Sequence, residues 1–164
     1  MSEFDHFEGT RAVSGQHAFD VQRLTDWLAT QLPGFAGPLQ VELFKGGQSN
    51  PTYKLITPRR RYVLRRKPPG KLLASAHAVD REYTVITALA KTEVPVAKTW
   101  VLCEDPAIIG TPFYVMDCVE GRVMWDPTVP GASNAERAAI FDEMNRVMAA
   151  LHQVDYTAIG LANY

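Results

Sequence analysis

Cysteine is scarce in this chain of 164 residues. Its two, Cys103 and Cys118, are too far apart for a metal or redox spacing. No disulfide framework follows, and a reduced, cytoplasmic setting is expected. The four histidines, His6, His17, His77 and His152, show no metal-ligand spacing either. Excess charge of one sign is missing: the net charge is −1, which implies no general attraction to nucleic acid or an anionic membrane. No run approaches the ~20 apolar residues that cross a bilayer, and the start lacks a basic-then-apolar signal pattern. Internal repeats and low-complexity tracts are absent. Hydrophobic residues reach 46%, enough for a core, and the length suits one domain or little more.

What is present starts with a glycine turn. Leu43-Phe44-Lys45 runs into Gly46-Gly47-Gln48-Ser49-Asn50, and Pro51-Thr52-Tyr53-Lys54-Leu55 runs out. A third apolar run, Arg61-Tyr62-Val63-Leu64-Arg65, places a cation inside a strand. Glycines let the backbone bend and approach a ligand, and small polar residues offer donors to phosphate oxygens. No Gly-Lys-Ser/Thr follows, so this is not a Walker loop. Taken alone the stretch also suits a plain hairpin.

The rest of the chain gives the turn its setting. Residues 1–19 read as a loose leader. Asp20–Leu32 reads as a helix with Val21, Leu24, Leu28 and Leu32 on one stripe, ended by Pro33-Gly34. Strands are expected at 39–44, 50–57, 61–67, 97–103 and 112–118, which makes an antiparallel sheet of about five strands in an α+β fold. Side chains alternate along a strand, so Val63, Arg65 and Lys67 share one face. Val79–Ala90 reads as a helix whose Glu82 borders the apolar stripe. Residues 104–110 read as a loop. Residues 119–132 carry prolines and glycines and read as a hinge. Ser133-Asn134-Ala135-Glu136 has capping-box spacing before a helix to about His152, with Phe141, Met144, Met148 and Leu151 on one face.

This order resembles the N-lobe of the protein-kinase-like fold. The wording is similar to the aminoglycoside phosphotransferase family, especially the kinase-like domains joined to, or near, acyl-CoA dehydrogenases. The carrying residues are Gly46–Tyr53, Tyr62–Gly70, Ala76–Tyr83, Phe113–Met116 and Glu120–Arg122. The resemblance divides the chain into a lobe over 20–118, a hinge over 119–132 and the start of a C-lobe over 133–164. It implies ATP as ligand, with Gln48, Ser49 and Asn50 over the phosphates and Val63 on the adenine. Arg65 would be the phosphate-contacting strand cation, with Lys67 on the same face as a second candidate. The family more often has lysine there. Arginine is fixed in charge and fork-shaped, so it grips phosphate bidentately. Glu82 would hold Arg65. Met116 would back the adenine pocket, and the Asp117 carbonyl and Val119 amide would pair with the adenine edge.

The family's His-Gly-Asp catalytic loop and its later Mg²⁺-binding aspartate do not occur in this sequence. His152-Gln153-Val154-Asp155 does not match that loop and arrives too early; His152 reads as a structural histidine. No catalytic residue or metal ligand is therefore assigned. The expectation is a truncated product: the ATP-binding part of a small-molecule kinase whose Mg²⁺ ligands lie elsewhere, or a non-catalytic nucleotide-binding module. The acceptor is an unidentified hydroxyl compound, with an acyl-CoA as the guess the resemblance suggests. The stripe of Phe141, Met144, Met148 and Leu151 is expected to leave apolar surface for self-association.

Overall fold

The computed structural model describes residues 5–46, 49–70 and 77–164. The elements, in order, are β1 (Thr10–Ala12), α1 (Val21–Gln31), β2 (Gln40–Phe44), β3 (Thr52–Ile56) and β4 (Arg61–Arg66). There follow α2 (Val79–Leu89), β5 (Thr99–Cys103), α3 (Pro106–Ile109), β6 (Phe113–Asp117) and α4 (Asn134–His152). The strands form one sheet in the order β1-β2-β3-β4-β6-β5, antiparallel at every pairing. The protein-kinase-like α+β reading holds, with one strand more than the five expected.

That extra strand is β1, inside the segment read as a loose leader. Three residues are too few to show alternation, and the strand is held by its pairing with β2 and by Thr10, whose hydroxyl donates to Glu42 at 2.6 Å. The 104–110 loop likewise contains the single turn α3. Asp105 caps it by accepting from the Ala107 amide at 2.8 Å, Pro106 opens it, and Gly110 closes it at φ 89°. An Asp-Pro start and a glycine stop were the available signals.

Strand alternation sorts the sheet into two faces. One carries Leu43, Tyr53, Leu55, Tyr62, Leu64, Phe113 and Val115, and α1 covers it with Leu24, Leu28 and Leu32. This is the core. α1 forms because its apolar positions recur on one stripe and because Asp20 accepts from the Arg23 amide at 2.9 Å. Each buried leucine contributes about 1.5–3 kcal/mol of transfer free energy. The opposite face carries Val63, Arg65, Tyr114 and Met116, and α2 lies against the β5–β6 side of the sheet.

α4 begins with the expected capping box: the Glu136 amide donates to Ser133 Oγ at 3.3 Å, and the Ser133 amide donates to Glu136 Oε2 at 2.7 Å. It packs little against the rest. Phe141, Met144, Met148 and Leu151 are 45–55% exposed. No described helix is long and apolar enough to cross a membrane.

Candidate functional site

The register of β3, β4 and β6 brings two rows of side chains together on the face that α1 leaves open. Lys54, Val63 and Met116 form one row, and Thr52, Arg65 and Tyr114 form the next. α2 is fixed over this region by Thr87, whose hydroxyl lies 2.7 Å from that of Thr99, and by Tyr83 set edge-on to Tyr114. This delivers Glu82 onto Arg65.

The expected pair forms, and it is a fork. Arg65 Nε donates to Glu82 Oε2 at 2.6 Å and Nη2 donates to Oε1 at 3.3 Å. The remaining guanidinium nitrogen, Nη1, donates to the Thr52 hydroxyl at 3.2 Å. Both partners keep about a third of their side-chain surface open to solvent, so the pair is accessible to a ligand. Glu82 is satisfied on both oxygens: Tyr114 donates to Oε2 at 3.2 Å and Asn50 Nδ2 donates to Oε1 at 2.9 Å. Burial, reinforced by the Glu82 charge, pushes the Tyr114 hydroxyl far above the usual phenol range. It therefore stays a donor at any ordinary pH.

The other residues singled out from sequence fall around this centre in different ways. Val63 is buried and Met116 is half-buried beside it. Asp117 ends β6; its carboxylate accepts from the Trp100 indole at 2.7 Å, and its amide donates to Lys98 O. Val119 is well exposed just beyond. Ser49 is exposed at the turn. Gln48 lies outside the described residues. Lys67 lies one residue past β4, with its backbone amide donating to Pro112 O. The Glu82 fork goes to Arg65.

Asn50, expected over the phosphates, makes its bonds within the chain. It is buried, and both ends of its amide are taken, one by Glu82 and the other by His77 Nδ1 at 2.8 Å. Sequence reasoning missed His77, Thr52 and Tyr114. Thr52 and Tyr114 were recoverable from strand register against Arg65. His77 had no signal, because its partner is 27 residues away.

Two further features bound the site. Gly46 is needed for space: a Cβ there would lie 2.5 Å from the Trp125 ring and 3.2 Å from Phe7 O. Trp125 stacks on Phe7 with centroids 5.2 Å apart. The hinge segment and the leader thus close on the start of the glycine turn. Arg66, the neighbour of Arg65, points the other way. It is buried and donates to Ile109 O and Gln16 O at 3.2 and 3.1 Å, and its guanidinium lies near the Phe19 and Tyr53 rings. Burial lowers its pKa, and no carboxylate pairs with it among the described residues.

Comparison with known proteins agrees with this architecture. The family model described as the phosphotransferase enzyme family matches residues 40–164. Rat acyl-CoA dehydrogenase family member 11 is 44% identical over 99% of this chain. Mouse acyl-CoA dehydrogenase family member 10 is 46% identical over 78% of it. A crystal structure of a "putative aminoglycoside phosphotransferase" from Ralstonia eutropha is 56% identical, with a TM-score of 0.77 over 90% of this chain. The chain spans 21% and 12% of the two dehydrogenase family members and 42% of the crystallised chain.

Proposed function

The chain belongs to the phosphotransferase enzyme family, and from that premise we propose that it supplies the ATP-binding part of a small-molecule kinase site. The observation that carries this is the Arg65–Glu82 fork on the face shared with Val63 and Met116. A carboxylate that holds a guanidinium from behind leaves the cation oriented toward an anion in front. Val63 and Met116 offer an apolar floor beside it for a base, and the exposed strand end at Val119 offers backbone groups to that base's edge. Ser49, with Gln48, would cover the phosphates. Mg²⁺ would supply neutralisation of the charge that develops on the phosphates, and no residue is assigned to hold it. The acceptor is a small-molecule hydroxyl, and an acyl-CoA is the class that the relatives' names favour.

NMR titration with millimolar Mg-ATP tests the reading. Resonances of Val63, Arg65, Met116 and Val119 should shift together, and Arg65→Ala should abolish the shifts while Lys67→Ala keeps them. Shifts unchanged by Arg65→Ala would remove the assigned site.

One observation favours a second reading, a non-catalytic nucleotide-binding module. No His-Gly-Asp occurs in the sequence, and no group of three or more His, Cys, Asp or Glu side chains converges among the described residues. ADP release that depends on an added hydroxyl acceptor would decide for the kinase.

A further inference from the structure

Asn50 stands at the end of the glycine turn and is 3% exposed. Its amide can be oriented from its partners. A carboxylate only accepts, so the nitrogen must face Glu82 Oε1, at 2.9 Å. The oxygen then faces His77 Nδ1, at 2.8 Å, and only accepts. His77 Nδ1 must therefore carry the hydrogen. His77 is held at φ 59°, a left-handed conformation that is uncommon outside glycine and that histidine, asparagine and aspartate adopt more readily than other residues. It precedes Ala78, the first cap of α2, which makes no side-chain capping bond. The start of α2 is thus tied to the glycine turn through His77 and Asn50.

We propose that His77 and Asn50 are positioning residues for the phosphate-facing cation. His77 sets the direction of the Asn50 amide, Asn50 fixes Glu82 Oε1, and Glu82 holds the Arg65 fork flat. This rests on the nucleotide reading for its purpose, but the latch itself is a property of the unliganded chain. If the amide turned over, its oxygen would face Glu82 Oε1 and repel it. The carboxylate would rotate, and the fork would keep one bond instead of two. Asn50, the start of α2 and the Arg65 head are thus linked in one chain of bonds.

Substitution at His77 tests this without touching Arg65 or Glu82. His77→Asn keeps a donor near the Nδ1 position and tolerates the left-handed backbone. His77→Asp has the same shape and tolerance but presents an acceptor. The Asn50 amide oxygen then opposes a carboxylate in either orientation and can no longer hold the amide nitrogen on Glu82. The first readout is hydrogen exchange of the Arg65 Nε–H group by NMR, with no nucleotide present. Exchange should match the unmodified protein in His77→Asn and speed up at least tenfold in His77→Asp. The second readout is Mg-ATP affinity, expected to weaken roughly tenfold in His77→Asp only, the scale of one buried hydrogen bond. Equal behaviour of the two variants, in either direction, overturns the latch. Should His77→Asp fail to fold, His77→Gly removes the bond and relieves the backbone, and the same exchange difference is required of it. If the unmodified protein takes up no Mg-ATP, the nucleotide reading falls and the exchange readout alone decides the latch.

Discussion

Removing the Arg65 side chain leaves Glu82 with Asn50 and Tyr114 as donors, so the carboxylate stays satisfied and the fold should survive. Arg65→Ala is expected to change the unfolding free energy by under ~1 kcal/mol, since the pair is a third exposed and an open ion pair contributes little. Its cost should fall on Mg-ATP binding, about 2 kcal/mol or roughly thirtyfold. Arg66→Ala should do the reverse. It orphans the Ile109 and Gln16 carbonyls and empties a buried volume, so a loss of ~2–3 kcal/mol in urea unfolding is expected. A matched loss of stability in both variants would contradict the two assignments. Arg65 and Glu82 were legible in sequence because strand parity and a helix stripe each point to one face. The roles of Arg66 and Asn50 were not. Both depend on partners up to 50 residues away, and a basic residue in a strand or an asparagine in a turn fits several environments equally.

The elements differ in what they contribute. α1 lays Leu24 and Leu28 into the core with no side-chain exposure, whereas α4 buries none of its residues. Leu28→Ala should therefore cost about 2–5 kcal/mol in denaturant unfolding, and Met148→Ala less than ~0.5 kcal/mol. A comparable loss from both would mean that α4 is covered in solution. Met148→Glu would then lower the sedimentation coefficient if the cover is a second copy of the chain. The glycine turn makes a different demand. Its opening residue is a glycine because Trp125 and Phe7 come so close. Gly46→Ala should cost ~1–3 kcal/mol by overpacking, and combining it with Trp125→Ala should recover part of that in a double-mutant cycle. Additive losses would show that the contact is loose. Five of the strands were readable because they alternate. β1 and α3 were not, since neither is long enough to display a period.

The whole molecule gathers the residues of the proposed nucleotide site onto one face of one sheet. The Arg65 fork, Val63 and Met116 lie along that face, and α1 seals the other with the core. Phosphoryl transfer needs more than this. The acceptor hydroxyl has to be aligned with the γ-phosphate, its proton has to be received, and metal has to neutralise the developing charge. The sequence offers no His-Gly-Asp for the proton, and Asp155, the nearest imitation, is spent accepting from the Thr157 and Ala158 amides at 2.9 and 3.0 Å. A single cation cannot replace these parts, because orientation and charge stabilisation act on the transition state from both sides. The 164-residue chain alone is therefore expected to bind Mg-ATP weakly, near ~1 mM, and to release no ADP above background with any hydroxyl acceptor, acyl-CoA included. A coupled ADP assay on the purified chain measures this directly. Release that disappears with Arg65→Ala would mean that a base and a metal site exist within these residues and that the division of labour proposed here is wrong.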